Sequence, residues 1–385
     1  MNIIILCRVY WTSGSTKIAI QEAYELEKMG HNVTLFFLRK SNKYNEYDVP
    51  NNLDIRFFQQ NKNSILRPLF TYITLKFRPD RDGESTVDYD LISKFSKYSK
   101  AFNPELIICH DQWAGIAGYK VKRRFKVPYV VILHEKPPQY DKIGFIGKFA
   151  KNLEKKVLFN AECLFSMTDG IKKSYETNQK ISSKLLPYAT IKHQFIKFEI
   201  KKNLLISVSM WDKGRNPQIY IELMKQVPNY ILHMVGNWRE EQNYLEFMKK
   251  LDNSGLRDRI IVLRNINERE LNKEYRDAKF SIRFSFGEVG GGMSVFEALS
   301  NGTPSIVNKK LGSSDLVEEF NIGTVIDDNS LASLNFDKII NFIQTVDNKI
   351  NYDEIQNRMV NVLDELSWRK HCEILMQAFH GDMVA

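Results

Sequence analysis

The sequence predicts an α/β protein built from two doubly wound parallel sheets, and three observations predict it. The chain has 385 residues, too many for one ordinary hydrophobic core, so two domains of about 190 residues each are expected. Short β-branched runs alternate with stretches of helical period along most of its length, the pattern of repeated βα units. Glycine-rich or small-residue loops stand where strands give way to helices, as ligand-binding turns do at the carboxyl edge of such sheets.

The first forty residues set the pattern. Residues 3–6 are an uninterrupted Ile-Ile-Ile-Leu run, as expected of a strand covered on both faces. A loop of small polar residues follows at 11–16. Ile18, Ile20, Ala23, Tyr24, Leu26 and Met29 then recur near a period of 3.6, Gly30 stops the helix, and 31–37 reads as a second strand. The alternation recurs with strands at 106–109, 129–133 and 163–167 and helices at 113–125 and 145–159. In the second half strands are expected at 204–207, 230–235, 260–263, 280–284 and 303–307, with a helix at 217–226 and others between the later strands. The periodicity lapses near 191–203, which places the domains at 1–195 and 196–367, with a last helix at about 368–385 packing back on the first. Residues 40–100 carry turn signals such as Asp82-Gly83 and receive no element. Within them, 65–78 (ILRPLFTYITLKFR) is basic and aromatic, either a membrane-surface segment or a partly buried helix with basic ends, the second being favoured.

Charge and composition narrow the function. Hydrophobic residues make up 43% of the chain, enough for folded cores rather than disorder. No apolar run approaches the length of a membrane span, and the start lacks the basic leader of a signal peptide, so a cytoplasmic protein is expected. The cysteines are scattered without metal-ligand spacing and read as buried or free thiols. Residues 1–200 hold 32 Lys and Arg against 20 Asp and Glu, a net +12, whereas 201–385 hold 23 against 26, a net −3. The first half is therefore expected to face an anionic partner: a phosphate-bearing substrate, or anionic lipid at the inner face of the cell membrane. No zinc-finger or RNP-type signature accompanies the charge, which disfavours nucleic acid.

The most informative stretch is 285–304, SFGEVGGGMSVFEALSNGTP. Three glycines, 290–292, end an expected strand and open onto a helix beginning at Met293. Backbone amides at Gly291, Gly292, Met293 and Ser294 would point at a phosphate, and glycine allows the chain to approach it closely. Glu297, one turn into that helix, is placed to accept hydrogen bonds from a ribose diol. Lys213 and Arg215, in SVSMWDKGRNP, lie on a loop after another strand of the same sheet and so emerge at the same edge. At about 4 Å and an effective dielectric of about 20, each cation is worth about 4 kcal/mol against a phosphate before desolvation. In the first half, His110 and Asp111 end one strand and His134 ends another. The first two would orient an acceptor, move a proton, or serve structural hydrogen bonds.

Taken in order, these elements resemble a retaining GT-B glycosyltransferase of the family-4 type, with two Rossmann-like domains facing a central cleft. The resemblance spans nearly the whole chain through ELEKMGHNVTLF, PELIICHDQWAGIAGYK, VPYVVILHE, LPYATI, SVSMWDKGRNP, MVGNW, the triple-glycine stretch, SNGTPSIV and SWRKHCEILMQAF. It implies transfer of a sugar from a nucleotide diphosphate sugar, such as a UDP- or GDP-sugar, to a hydroxyl of a glycan or lipid-linked acceptor. Retention of configuration, no metal and no further cofactor are implied with it. Residue by residue, Gly14 matches the loop glycine near the diphosphate, His134 the histidine near the donor sugar, Lys213 the diphosphate lysine and Glu297 the second glutamate of an E-x7-E motif. The chain departs from the pattern at Val289, where the first glutamate would fall; Glu288 stands one residue earlier and is the candidate to touch the donor sugar. The family arginine before the lysine falls at Met210, and Arg215 is the candidate replacement. A nucleotide-sugar epimerase of the same frame and a non-catalytic partner subunit are the alternatives.

Overall fold

The structure, a computed structural model, describes residues 1–10, 13–40, 52–58, 89–138, 144–286 and 290–381. The segment 65–78 and the candidate Glu288 lie outside the described residues, as does Val289. The chain divides into two units, Met1–Pro187 with Trp368–Ala385, and Tyr188–Ser367.

The first unit is a seven-stranded parallel sheet in the order β3-β2-β1-β4-β5-β6-β7. Its strands are β1 (Asn2–Tyr10), β2 (Asn32–Lys40), β3 (Asp54–Phe57), β4 (Leu106–His110), β5 (Tyr129–Leu133), β6 (Cys163–Ser166) and β7 (Lys184–Leu185). Its helices are α1 (Gly14–Lys28), α2 (Tyr89–Phe102), α3 (Gly115–Phe125), α4 (Gly144–Phe159) and α5 (Asp169–Gln179). The continuous apolar runs of β1, β4 and β5 are buried throughout, because helices cover both faces of the sheet. Helix α3 approaches the sheet closely through glycine: a Cβ at Gly118 would stand 2.8 Å from Cys109 Sγ, and one at Gly115 would stand 2.9 Å from Val157 Cγ1. The sequence places the start of this helix at 113, two residues early. Asp111 takes the Trp113 and Ala114 amides on Oδ1, at 2.8 and 2.7 Å, and holds those residues in a turn ahead of the first helical residue.

The second unit is a six-stranded parallel sheet in the order β10-β9-β8-β11-β12-β13. Its strands are β8 (Lys202–Val208), β9 (Ile231–Val235), β10 (Ile260–Leu263), β11 (Ala278–Arg283), β12 (Ser305–Asn308) and β13 (Gly323–Ile326). Between and after them run α6 (Gln218–Gln226), α7 (Glu241–Ser254), α8 (Glu268–Asp277), α9 (Met293–Ser300), α10 (Ser314–Glu319), α11 (Asp328–Ala332), α12 (Asp337–Val346) and α13 (Lys349–Glu365). The last helix, α14 (Trp368–Gly381), returns to the first unit and packs on α1.

In each sheet the strand order reverses once, between β1 and β4 in the first and between β8 and β11 in the second. Helices leave in opposite directions on the two sides of such a point, and the loops beyond the strand ends open a crevice there. The segments after β1 and β4, and those after β8 and β11, occupy these two positions. Among the described residues no helix is long and apolar enough to cross a membrane. The four cysteines are all buried, and none is in a disulfide.

Candidate active site

In the second unit the segment after β8 is built around tryptophan. Trp211 is fully buried, donates from Nε1 to the Val235 carbonyl at 3.1 Å, and pairs through its backbone with the segment after β9. Gly236 permits this approach: its φ is +125°, and a Cβ there would stand 1.9 Å from the Ser209 carbonyl oxygen. Beyond the anchor, Asp212 caps a single 3-10 turn, Lys213–Arg215, by accepting from the Arg215 amide at 3.0 Å.

The two expected cations part company in this turn. Lys213 is exposed and sits 3.3 Å from Glu246 on α7. Arg215 is half-buried, and its pKa is pushed down to about 9 by burial first and by the charge of Arg283 second. Arg283, the last residue of β11, is 94% buried, and burial lowers its pKa as well. It donates from Nη1 to the Phe284 carbonyl at 2.8 Å. Two guanidinium groups, one buried and one half-buried, thus stand at the strand reversal, where like charges oppose one another. Sequence reasoning missed Arg283 because it read 280–284 only as a strand. The signal available was that a cation in a strand covered on both faces is costly and calls for a reason.

The glycine segment follows β11. Asn308, fully buried at the end of β12, pins its entry by accepting from the Ser285 amide at 2.7 Å and donating to the Ser285 carbonyl at 2.8 Å. Gly292 has φ +65° and precedes Met293, the first residue of α9. Gly291 is tied down by packing: a Cβ there would stand 2.2 Å from Tyr188 Cε2, and its amide donates to the Tyr188 hydroxyl at 3.4 Å. At Gly291 the missing side chain makes room for an aromatic ring. Ser294 is 94% buried, and its Oγ finds no hydrogen-bond partner among the described residues. It lies in the first turn of α9, where backbone amides lack carbonyl partners within the helix. Glu297, on the same helix, accepts from the Tyr275 hydroxyl at 3.0 Å.

In the first unit Gly14 opens α1 behind Ser13, whose Oγ accepts from the Thr16 amide at 3.2 Å. Asp111 has φ +85°, and its Oδ2 accepts from Arg8 Nε at 2.8 Å. With Oδ1 taken by two amides, both carboxylate oxygens serve the turn. Of the alternatives open for Asp111, structural hydrogen bonding is the one its contacts fill.

The histidines meet. His110 Nδ1 lies 3.0 Å from His134 Nε2, and His110 Nε2 lies 2.8 Å from Glu22 Oε2 on α1. Burial first, and then the neighbouring His110, hold the His134 imidazole down to about 3, so it is neutral over the physiological range. Glu22 also meets His371, 2.9 Å from its Oε1. Neither Glu22 nor His371 stood out as a site residue in the sequence, where they are 349 residues apart. Among the described residues no group of three or more His, Cys, Asp or Glu is placed to hold a metal ion.

Two doubly wound parallel-sheet units give the chain a GT-B fold, and the families that match its two halves make it a glycosyltransferase. More particularly, residues 13–182 match the glycosyl transferase 4-like domain and residues 190–354 match the glycosyl transferases group 1 domain. Solved structures agree on the fold. Sucrose-phosphate synthase from Thermosynechococcus elongatus is 14% identical with a TM-score of 0.75, covering 100% of this chain and 99% of its own. HepE from Anabaena, solved with UDP and glucose, is 14% identical with a TM-score of 0.73, at 99% and 100% coverage. WaaG, a glycosyltransferase involved in lipopolysaccharide biosynthesis, is 14% identical with a TM-score of 0.66, at 98% and 100%. No curated protein sequence matches the chain.

Proposed function

We propose that this glycosyltransferase moves a sugar from a nucleotide diphosphate sugar to an acceptor hydroxyl, with retention of configuration and without a metal. The observation that carries this reading is the pair of guanidinium groups, buried Arg283 and half-buried Arg215, at the strand reversal of the second sheet. A diphosphate set between them replaces their mutual repulsion with charge-assisted hydrogen bonds, and it would be stabilised further as it takes on charge in leaving.

Around that diphosphate the other residues take separate roles. The amides of the first turn of α9, from Gly292 to Ser294, and the Ser294 hydroxyl bind its oxygens, and Gly291 holds the turn in place against Tyr188. Lys213 leaves Glu246 to join the phosphates, a small cost for an exposed pair. Glu297 holds the ribose diol. Glu288 touches hydroxyls of the donor sugar. From the first unit Gly14 is assigned to the diphosphate, as its match to the family's loop glycine implies, and neutral His134 to stabilising the developing positive charge on the sugar. The leaving phosphate oxygen itself accepts the proton of the attacking hydroxyl, so the two-carboxylate arrangement of a glycosidase is not needed. HepE, solved with UDP-glucose, supports a uridine donor as the first to try. The net +12 of residues 1–200 supports an anionic acceptor, such as a lipid-linked pyrophosphate, or an anionic membrane surface.

The test is transfer from a panel of nucleotide diphosphate sugars, with unfolding temperatures recorded against the matching nucleotide diphosphates. Lys213→Ala and Glu297→Ala proteins that stay folded should lose most turnover. Near-normal rates in both would remove the site assignment.

A further inference from the structure

The second unit holds one polar helix by a single buried ring. Helix α8 opens with a capping box, in which Asn267 Oδ1 accepts from the Glu270 amide and Glu270 Oε2 accepts from the Asn267 amide, each at 2.9 Å. Along its sequence, ERELNKEYRD, Tyr275 alone is buried, and it is buried completely. The ring belongs to a cluster with Leu204, Ile206, Val235 and Ala298. The main chain around it is tied as well. Thr303 Oγ1 donates to the Tyr275 carbonyl at 2.7 Å, and Lys201 Nζ donates to the Arg276 and Ala278 carbonyls, each at 2.9 Å. Close packing on the ring and hydrogen bonds on the backbone leave Tyr275 little room to shift.

That fixed ring aims its hydroxyl at Glu297. The phenol donates to Glu297 Oε2 at 3.0 Å. Burial first, and then the neighbouring carboxylate, hold the phenol pKa well above its ordinary value, so the hydroxyl keeps its proton and remains the donor. Glu297 differs from its neighbours on α9: Val295, Phe296, Ala298 and Leu299 are buried, whereas Glu297 is half-buried. Its backbone is held through Asn301, whose Nδ2 donates to the Glu297 carbonyl at 2.9 Å. A glutamate side chain has several rotatable bonds, and ordering it only when a ligand arrives costs affinity. A donor that is itself fixed orders the carboxylate beforehand.

We propose that Tyr275 is a positioning residue for ribose recognition: its hydroxyl holds the Glu297 carboxylate in the orientation that accepts from the ribose hydroxyls of the nucleotide. The inference rests on the reading of Glu297 as the holder of the ribose diol, and it adds the residue that orients it. Tyr275 touches no ligand in this role. It acts only through Glu297, so its hydroxyl should matter to a nucleotide that carries the diol and not to one that lacks it. A phenol that served the core alone would make no such distinction.

The experiment is calorimetric titration of the full chain with UDP and GDP, and with the 2′,3′-dideoxy form of whichever binds. The unaltered protein should hold the ribose form about tenfold or more tighter, the scale of hydrogen bonds to a charged group. Tyr275→Phe removes the hydroxyl and leaves the ring in place. Its affinity for the ribose form should fall about three- to tenfold, the scale of one side chain left to be ordered, while affinity for the dideoxy form stays within about twofold. In a Glu297→Ala background the same change should have no further effect on either nucleotide. Equal losses for the two nucleotides overturn the proposal, as does a loss that persists in the Glu297→Ala background. So does a Tyr275→Phe protein that binds as the unaltered one does, or one that fails to fold. Two results separate the proposal from the reading beneath it. If the unaltered protein binds neither UDP nor GDP, the nucleotide donor falls and Tyr275 falls with it. If it binds nucleotide without preferring ribose, the donor stands, and the ribose role of Glu297 and the proposal are both overturned.

Discussion

Asn308 closes a two-sided clamp on the backbone of Ser285, taking its N–H at 2.7 Å and giving an N–H to its carbonyl at 2.8 Å. The clamp sits where β11 ends and the glycine segment begins, and the second amide hydrogen of Asn308 also reaches Asp328 at 2.6 Å. Asn308→Ala leaves a buried backbone N–H and carbonyl without partners, so stability should fall by about 1–3 kcal/mol. Asn308→Asp should be worse, since it sets a second carboxylate beside Asp328. Urea denaturation of the two proteins checks both the size and the order.

Arg283→Met should separate binding from stability. Removing a buried charge that repels Arg215 relieves desolvation, so the unfolding temperature should hold or rise. Affinity for a nucleoside diphosphate should fall by about tenfold or more, the worth of one charge-assisted contact. Calorimetric titration with UDP beside a thermal melt reads both. A melt that drops by many degrees with binding unchanged would make Arg283 a structural residue.

Stability should fall in acid, and His134 has a defined share in it. Its ordinary pKa of 6.5 is lowered in the fold to about 3, so between these values the unfolded chain holds a proton that the folded chain refuses. More protons on the unfolded side mean that stability rises with pH, by up to about 1.4 kcal/mol per unit for one group. Glu22, lowered from 4.5 to about 2, acts in the same direction below about pH 4.5. The groups facing His134 are His110, Glu22, Glu135 and His371. Unfolding free energy measured from pH 7 down to pH 5 should decline, and His134→Gln should flatten part of that slope.

Gly291→Ala should cost about 1–3 kcal/mol, because the new methyl meets the Tyr188 ring at 2.2 Å and neither can move freely. A second change, Tyr188→Ala, makes room for it. The double variant should then be more stable than the sum of the single effects predicts, a coupling that a double-mutant cycle measures directly.

Much of the architecture was legible because burial on both faces leaves a plain mark. Runs such as Ile3–Leu6 and the IIC of β4 have nowhere to go but the middle of a covered sheet. The β8 and β11 segments could be assigned to one edge of one sheet because parallel connection forces it. Three contacts could not be seen. The ring of Tyr188 against Gly291 depends on residues 103 apart, and a run of glycines looks the same whether it clears space for a phosphate or for a phenol. The pairing of Glu22 with His371 spans nearly the whole chain, so local patterns made one a helix-face glutamate and the other a terminal histidine. Lys213 was assigned a role by its spacing, yet spacing does not say that Glu246 from α7 is within its reach.

The returning helix α14 makes the second unit an insertion between two pieces of the first. During synthesis the seven-stranded sheet must therefore wait, with Glu22 already in its interior and one of its two histidine partners still to come, while roughly half the polypeptide is made. Until His371 arrives, Glu22 Oε1 lacks the partner it has in the finished unit. The nascent first half should accordingly be laxer than its finished form, and slow translation through the second half would prolong its exposure to proteases.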